Sequence, residues 1–404
     1  MSAQLRPGYK QTEAGVIPAD WSPHTIGDLV DFEGGSQPDK SVFRQSWKAG
    51  YVRLIQIRDY KTDKYETYIP WSLARRFCNE SDIMIGRYGP PVFQILRGID
   101  GAYNVALIKA KPCPAINNSY AYYFLKQEKL FAFIEKLSRR SSGQTGVDLK
   151  ELRQYPLPLP SIEEQETIAE ALSDADALIE LLEQLLAKKR HLKQGTMQEL
   201  LTGKKRLPGF SGEWEQTRLG DSIEKFIGGG TPSRANSQYW GDEIPWVTVK
   251  DFATFNPRYS QESITKTGLR NSASHLIPKG TLITSTRMAL GKAVVYEVDV
   301  AINQDLKALF PRSGLDTQYL YFWFEYYGKF IDELGSGSTV KGISLPELKK
   351  IQLNLPPIKE QAAIVTILAD MDAELAELEA KLEKSRSIKQ GMMQKLLTGE
   401  IRLL

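Results

Sequence analysis

Residues 160–207 and 356–403 are two copies of one segment: at a constant offset of 196 they align without a gap, and 25 of 48 positions are identical. A chain built on such a duplication has to fold as two related units, so self-similarity is the first constraint to follow. The residues ahead of each copy repeat more faintly. Trp21 with Ile26-Gly27-Asp28 answers to Trp214 with Leu219-Gly220-Asp221, and Gly34 to Pro38 answers to Gly229 to Pro232. Tyr103-Asn104 is similar to Ile302-Asn303, and Leu149 to Leu152 is similar to Leu345 to Leu348. Each half is therefore a variable module followed by a well-matched one.

The well-matched copies read as helices. After Pro160 and Pro356, apolar residues recur in steps of four and three. In the first copy they are Ile168, Leu172, Ala175, Ile179, Leu182 and Leu186; in the second, Ile364, Leu368, Met371, Leu375, Leu378 and Leu382. This is a heptad seam, and it predicts that the two helices pair along these residues. From about Glu163 to Leu201 such a helix would be roughly 60 Å long, with Gly203 and Gly399 where a C-terminal cap belongs.

Two arguments predict antiparallel pairing. The linker from Thr202 to about Gly212 is short, so the second helix must return from the end of the first. Acidic residues also fill the first half of each copy, as in Glu163, Glu164, Glu166 and Asp176, whereas Lys188, Lys189, Arg190 and Lys193 gather at its end. Only antiparallel pairing sets acid against base, although one exposed pair contributes under about 1 kcal/mol. Gly195 and Gly391 lie inside the helices at a cost of about 1 kcal/mol each relative to Ala. Both copies carry that cost, which predicts close backbone contact there, between the helices or with another subunit.

Each variable module mixes strand-like and helical runs. Tyr51 to Ile57, Trp246 to Val249, Leu282 to Thr284 and Ala293 to Tyr296 read as strands; Ser119 to Leu137 and Thr317 to Leu334 read as aromatic-rich helices. Their aromatic residues are expected in the core. The predicted fold class is α+β: two globular domains separated by a long antiparallel two-helix coiled coil, pseudo-twofold from the duplication, giving a dumbbell. Residues 1–157 form the first globular domain, 158–205 its helix, 206–354 the second globular domain and 355–404 its helix.

With 42% hydrophobic and 25% charged residues the chain is of ordinary globular composition. Its longest apolar runs fall far short of the roughly 20 residues that span a bilayer, and residues 1–10 lack the apolar core of a signal peptide, so a cytoplasmic location is expected. Cys78, Cys113, His24, His191 and His275 are scattered without metal-ligand spacing, so no metal is expected. A net charge of +3 is too small by itself to name a polyanionic partner.

Distribution is more telling. Basic residues mixed with Gly, Ser, Thr, Gln and Asn, the types that contact phosphates and base edges, concentrate in three places per module. In the first these are Gly34 to Lys40, Arg87-Tyr88-Gly89 with Arg97, and Arg139 to Thr145; in the second, Gly228 to Arg234, Thr286-Arg287 with Lys292, and Gly335 to Lys341. Any one could be an ordinary turn, but recurrence at equivalent places favours a shared role. The candidate DNA contacts are Gln37, Lys40, Arg87, Tyr88, Arg97, Arg139, Arg140, Gln144 and Thr145, then Thr231, Arg234, Arg287, Lys292, Ser338, Thr339 and Lys341.

Taken together these residues closely resemble the specificity subunit of type I restriction-modification systems. The resemblance covers nearly the whole chain and rests on Ile17-Pro18, the GGSQP and GGGTP turns, the LPxP and LPP stretches followed by Glu-Gln, and above all the repeated endings KQGTMQELLTG and KQGMMQKLLTG. It implies that each module is a target-recognition domain reading one half of a split site on double-stranded DNA. It also implies that the helices set the spacing and dock two methyltransferase subunits, with ATP-dependent nuclease/translocase subunits joining them. On that footing Gln194, Gly195, Gln390 and Gly391 are candidate docking positions, no cofactor is expected on this chain, and S-adenosylmethionine, ATP and Mg are expected on the partners.

Two other readings compete. An enzyme acting alone would need a methyltransferase motif, a glycine fingerprint or a phosphate loop; Asn354-Leu355-Pro356-Pro357 only begins a helix, and the chain is expected to be non-catalytic. A coiled-coil scaffold without DNA reading and the specificity subunit of a related methyltransferase-only system are the alternatives that remain.

Overall fold

The computed structural model describes residues 6–138, 146–337 and 341–403. Two long helices, Ile162–Leu201 and Ile358–Leu396, run through two compact units, Met1–Leu182 with Lys381–Leu404 and Glu183–Ala380. The class is α+β, and the two units repeat one topology. No helix among the described residues is long and apolar enough to cross a membrane.

In the first unit an antiparallel sheet runs in the order Val30–Gly34, Leu107–Pro112, Ile83–Gly86, Gln94–Leu96. A second sheet runs Tyr68–Pro70, Tyr51–Ile55, Gly101–Tyr103, Phe77–Cys78, with its central pair parallel. The second unit repeats both sheets. Ile223–Gly228, Leu306–Pro311, Leu282–Ser285 and Ala293–Val295 form the first; Glu262–Ile264, Trp240–Val247, Val300–Ile302 and Leu276–Ile277 form the other, again with a parallel central pair. The tight turn between Tyr103 and Leu107, or Ile302 and Leu306, carries the chain from one sheet to the other.

The expected strands differ at their ends. The first stops at Ile55 because Ile57–Tyr60 winds into a 3-10 turn capped by Asp59. The run expected from Trp246 starts at Trp240, its earlier residues being held by pairing with Glu262–Ile264. The aromatic helix expected over Ser119 to Leu137 is two helices, Asn118–Leu125 and Glu128–Ser138. Its break lies at Lys126, whose N–H is shared between the carbonyls of Tyr122 and Tyr123. Thr317–Leu334 is one helix, and in both units the aromatic residues are mainly core: Tyr120, Tyr123, Tyr319 and Phe324 are buried.

The long helices pair antiparallel. In the second unit Lys189 meets Glu374 (2.5 Å) and Lys193 meets Asp372 (2.6 Å), so numbers rise on one helix as they fall on the other. In the first unit Lys389 pairs with Asp176, the same exchange with the copies reversed. The seam is less uniformly dry than its heptads suggest. Ile168 and Leu172 join the first unit's core with Leu396 and Leu397, and Ile364 and Leu368 join the second unit's core with Leu200 and Leu201. Leu182, Leu186 and Leu382 are buried, whereas Ile179, Met371, Leu375 and Leu378 are only half-buried. Gly203 and Gly399, both at φ +70°, end the helices as the sequence predicts.

Candidate nucleic-acid interface

Each unit builds a loop cluster round its Asn turn. Asn104 is buried, and its Oδ1 accepts the N–H of Ala106 (3.1 Å), while the N–H of Leu107 closes the turn on the Asn104 carbonyl (3.0 Å). The Gly34–Lys40 segment lies against one side: Gly35 donates its N–H to the Leu107 carbonyl (3.0 Å) and Ser36 to that of Tyr103 (3.1 Å). A Cβ on Gly35 would lie 2.0 Å from the Asn104 oxygen, which is why position 35 is a glycine. Arg87 donates its N–H to the Ala106 carbonyl (2.8 Å), and its own carbonyl accepts from Val147 (3.1 Å). Segments from opposite ends of a domain more than a hundred residues long thus meet at one turn.

The second unit repeats the arrangement. Buried Asn303 accepts the N–H of Asp305 (3.1 Å), Gly230 donates to the Ile302 carbonyl (3.0 Å), and Thr286 donates to that of Asp305 (2.8 Å). Gly229 stands where Gly35 does, since a Cβ there would lie 1.7 Å from the Ile302 oxygen. Ile343 closes the set by donating to the Thr286 carbonyl (3.0 Å).

Of the predicted contacts, Arg87, Tyr88, Thr231 and Arg287 fall in these clusters, with Gln37 half-buried and Lys40 exposed on the Gly-rich segment. The Thr231 hydroxyl donates to Gln304 Oε1 (2.7 Å), and Arg287 approaches Asp305 (3.9 Å). Others are engaged elsewhere. Arg97 lies over the Tyr122 ring at 3.9 Å from its centroid, and Lys292 lines a cleft with Glu325, Lys329 and Asp332. Arg234 is held bidentate by Glu262 and stacks on Trp240; that pairing holds the Glu262 carboxyl below the usual range. Lys341 pairs with Asp332 (2.8 Å) while its carbonyl accepts from Met288. Arg139, Arg140, Gln144, Thr145, Ser338 and Thr339 lie outside the described residues.

The turn itself is absent from the contacts expected on sequence. Val105 and Gln304 occupy its exposed apex in the two units, and Asn104 and Asn303 fix it. The matching Tyr103-Asn104 and Ile302-Asn303 carry the signal, because an Asn at a chain reversal commonly bonds its own backbone two residues on.

The candidate docking positions are open. A Cβ on Gly195 or Gly391 would meet nothing within 4 Å, so the alternative of close contact between the helices is wrong: no neighbouring backbone requires these glycines. Gln194 is exposed, and Gln390 donates to Glu128 (2.7 Å). Beside them stand Leu192 and Ile388, 55% and 52% exposed at the same position of the two copies, an apolar residue where a solvated helix face calls for a polar one. Among the described residues no cluster of His, Cys, Asp or Glu could hold a metal ion.

Residues 18–188 and 211–386 each match the family described as the type I restriction modification DNA specificity domain. The type I restriction enzyme MjaVIII specificity subunit of Methanocaldococcus jannaschii is 24% identical over 420 residues, spanning 98% of this chain and 96% of its own. The EcoR124I/EcoR124II specificity subunit of Escherichia coli is 31% identical over 168 residues, 40% of this chain and 41% of its own. In fold, the chain is similar to the type I restriction-modification system S subunit from M. genitalium, with a TM-score of 0.61 at 16% identity and 98% coverage of both chains.

Proposed function

Because the chain belongs to the family of type I restriction-modification specificity subunits, we propose that its two globular domains each read one half of a bipartite, asymmetric site on double-stranded DNA. The observation that carries this reading is the pair of loop clusters. Each gathers a Gly-rich segment, a cationic residue and an Asn turn on one frame, and the side chains differ between the two. A shared frame with unlike side chains is what two unlike half-sites require. Phosphate contacts fix position, and the exposed turn side chains supply base discrimination.

The helices then hold the half-sites at a set separation and dock methyltransferase subunits, one at each copy of the Leu192-Gln194-Gly195 and Ile388-Gln390-Gly391 surface. Nuclease/translocase subunits join through those partners. The chain performs no chemistry; S-adenosylmethionine, ATP and Mg reside on the partners, and the complex works in the cytoplasm. The same surfaces serve a methyltransferase-only system equally well. A scaffold without DNA reading has no use for cations and amides gathered round two rigid turns.

Methylome sequencing of cells expressing the chain with its methyltransferase tests the proposal. A split motif is expected, and exchanging residues 1–155 with those of a relative should change one half only. Alteration of both halves, or a continuous motif, would overturn it.

A further inference from the structure

The turn that joins the two sheets presents one residue to solvent while the backbone on both sides of it is hydrogen-bonded to neighbouring segments. In the first unit that residue is Val105, 45% exposed; in the second it is Gln304, also exposed. Asn104 and Asn303 are buried beneath, accepting from the residue beyond the apex, and their own N–H groups donate to Ile55 (3.0 Å) and Val247 (3.1 Å) in the parallel strand alongside. The Gly-rich segment packs too closely for a Cβ on one flank, and the backbone of Arg87 or Thr286 bonds the other. The apex therefore cannot shift without breaking bonds to three elements.

What it presents is chemically opposite in the two units. Val105 offers only a branched apolar surface, where a chain reversal more commonly carries Gly, Asn or Asp. Gln304 offers an amide. Its Oε1 accepts from Thr231 Oγ (2.7 Å), which restrains the amide, and its NH2 has no protein partner among the described residues. Lys307 lies below, donating to the Gln304 carbonyl (3.1 Å), and burial lowers its pKa.

We infer that residue 105 in the first domain and residue 304 in the second are the specificity-determining positions of their half-sites, Val105 packing on a thymine methyl and Gln304 bonding an adenine edge. An amide matches adenine with one donor and one acceptor, and an aliphatic group is suited to the thymine methyl. Thr231 is then a positioning residue for Gln304. This inference rests on the DNA-reading role proposed above.

The test expresses V105Q, Q304V and T231V chains with the methyltransferase and compares methylomes with the wild-type chain. Both apex residues are exposed, so melting temperatures near wild type are expected and are measured alongside. V105Q should alter the base accepted at one position of the first half-site, and Q304V should relax one A·T position of the second by about tenfold, the size of one bidentate base contact. T231V should weaken discrimination at that same second-half position and nowhere else. If the wild-type chain gives a split motif and stable V105Q and Q304V chains leave it unchanged, this inference is wrong while the DNA-reading role stands. If the wild-type chain gives no split motif, the role itself fails.

Discussion

At the scale of single residues, the repeated Glu-Gln after each helix-opening proline has two separate duties. Gln165 and Gln361 are buried clamps: Gln165 accepts from the N–H of Asn117 and donates to Ala115 and Pro160, and Gln361 repeats this with Asp316, Gly314 and Pro356. Glu164 and Glu360 are buried carboxylates, each receiving a tryptophan N–H and a bidentate arginine. Trp21 and Arg402 serve the first; Trp214 (3.2 Å) and Arg206 (2.7 Å) serve the second. A motif read from sequence as a family mark is thus a structural anchor, invisible as such because the partners of its glutamate lie more than a hundred residues away. Replacing Arg206 by Met should leave Glu360, 1% exposed, without its counter-charge and destabilise the second unit. Hydrogen exchange should show lost protection within residues 211–360; an unchanged profile would mean the carboxylate is satisfied by Trp214 alone.

At the scale of elements, the long helices were the most legible part of the chain, since few structures besides a paired helix sustain a seven-residue apolar repeat. Their partners were less so. Lys193 and Lys389 continue the heptad where a hydrophobe is expected, and each is taken up by an Asp of the opposite helix and an aromatic ring, Phe322 or Tyr123. Burial works against the charge of Lys193, but bonds to Asp372 and Glu325 outweigh it and raise its pKa. Such a pairing fixes register, which apolar seams leave loose. The glycines show the opposite case: a rule-breaking residue with no internal cause. Gly195→Ala should stabilise the helix by about 1 kcal/mol, because the space is empty and Ala is the better helix former. Gly195→Leu should fold equally well yet weaken co-purification with the methyltransferase; undiminished binding would remove this surface from the docking assignment.

At the scale of the whole molecule, the first unit is closed by the far end of the chain. Tyr9 donates to the Gly399 carbonyl (2.9 Å), a Cβ on Gly399 would strike Pro18, and Arg402 reaches Asp20 as well as Glu164. The second unit draws the equivalent residues, Gly203 and Arg206, from the middle of the chain. Truncation after Leu396 should therefore open the N-terminal unit, far away in sequence, and leave the other intact. Limited proteolysis should cut within residues 6–160 while 220–355 stay protected; cleavage in both would show that closure is not local to the first unit. By itself the sequence determined the duplication, the helices and their antiparallel sense, and the mixed class of the modules, because periodicity, capping and charge order act between near neighbours. Only the tertiary structure decided which loops meet, which arginines are already spent on Glu262 or on Tyr122, and that an Asn turn stands at the centre of each cluster. Those outcomes depend on contacts between residues far apart in the chain, for which local pattern carries no signal.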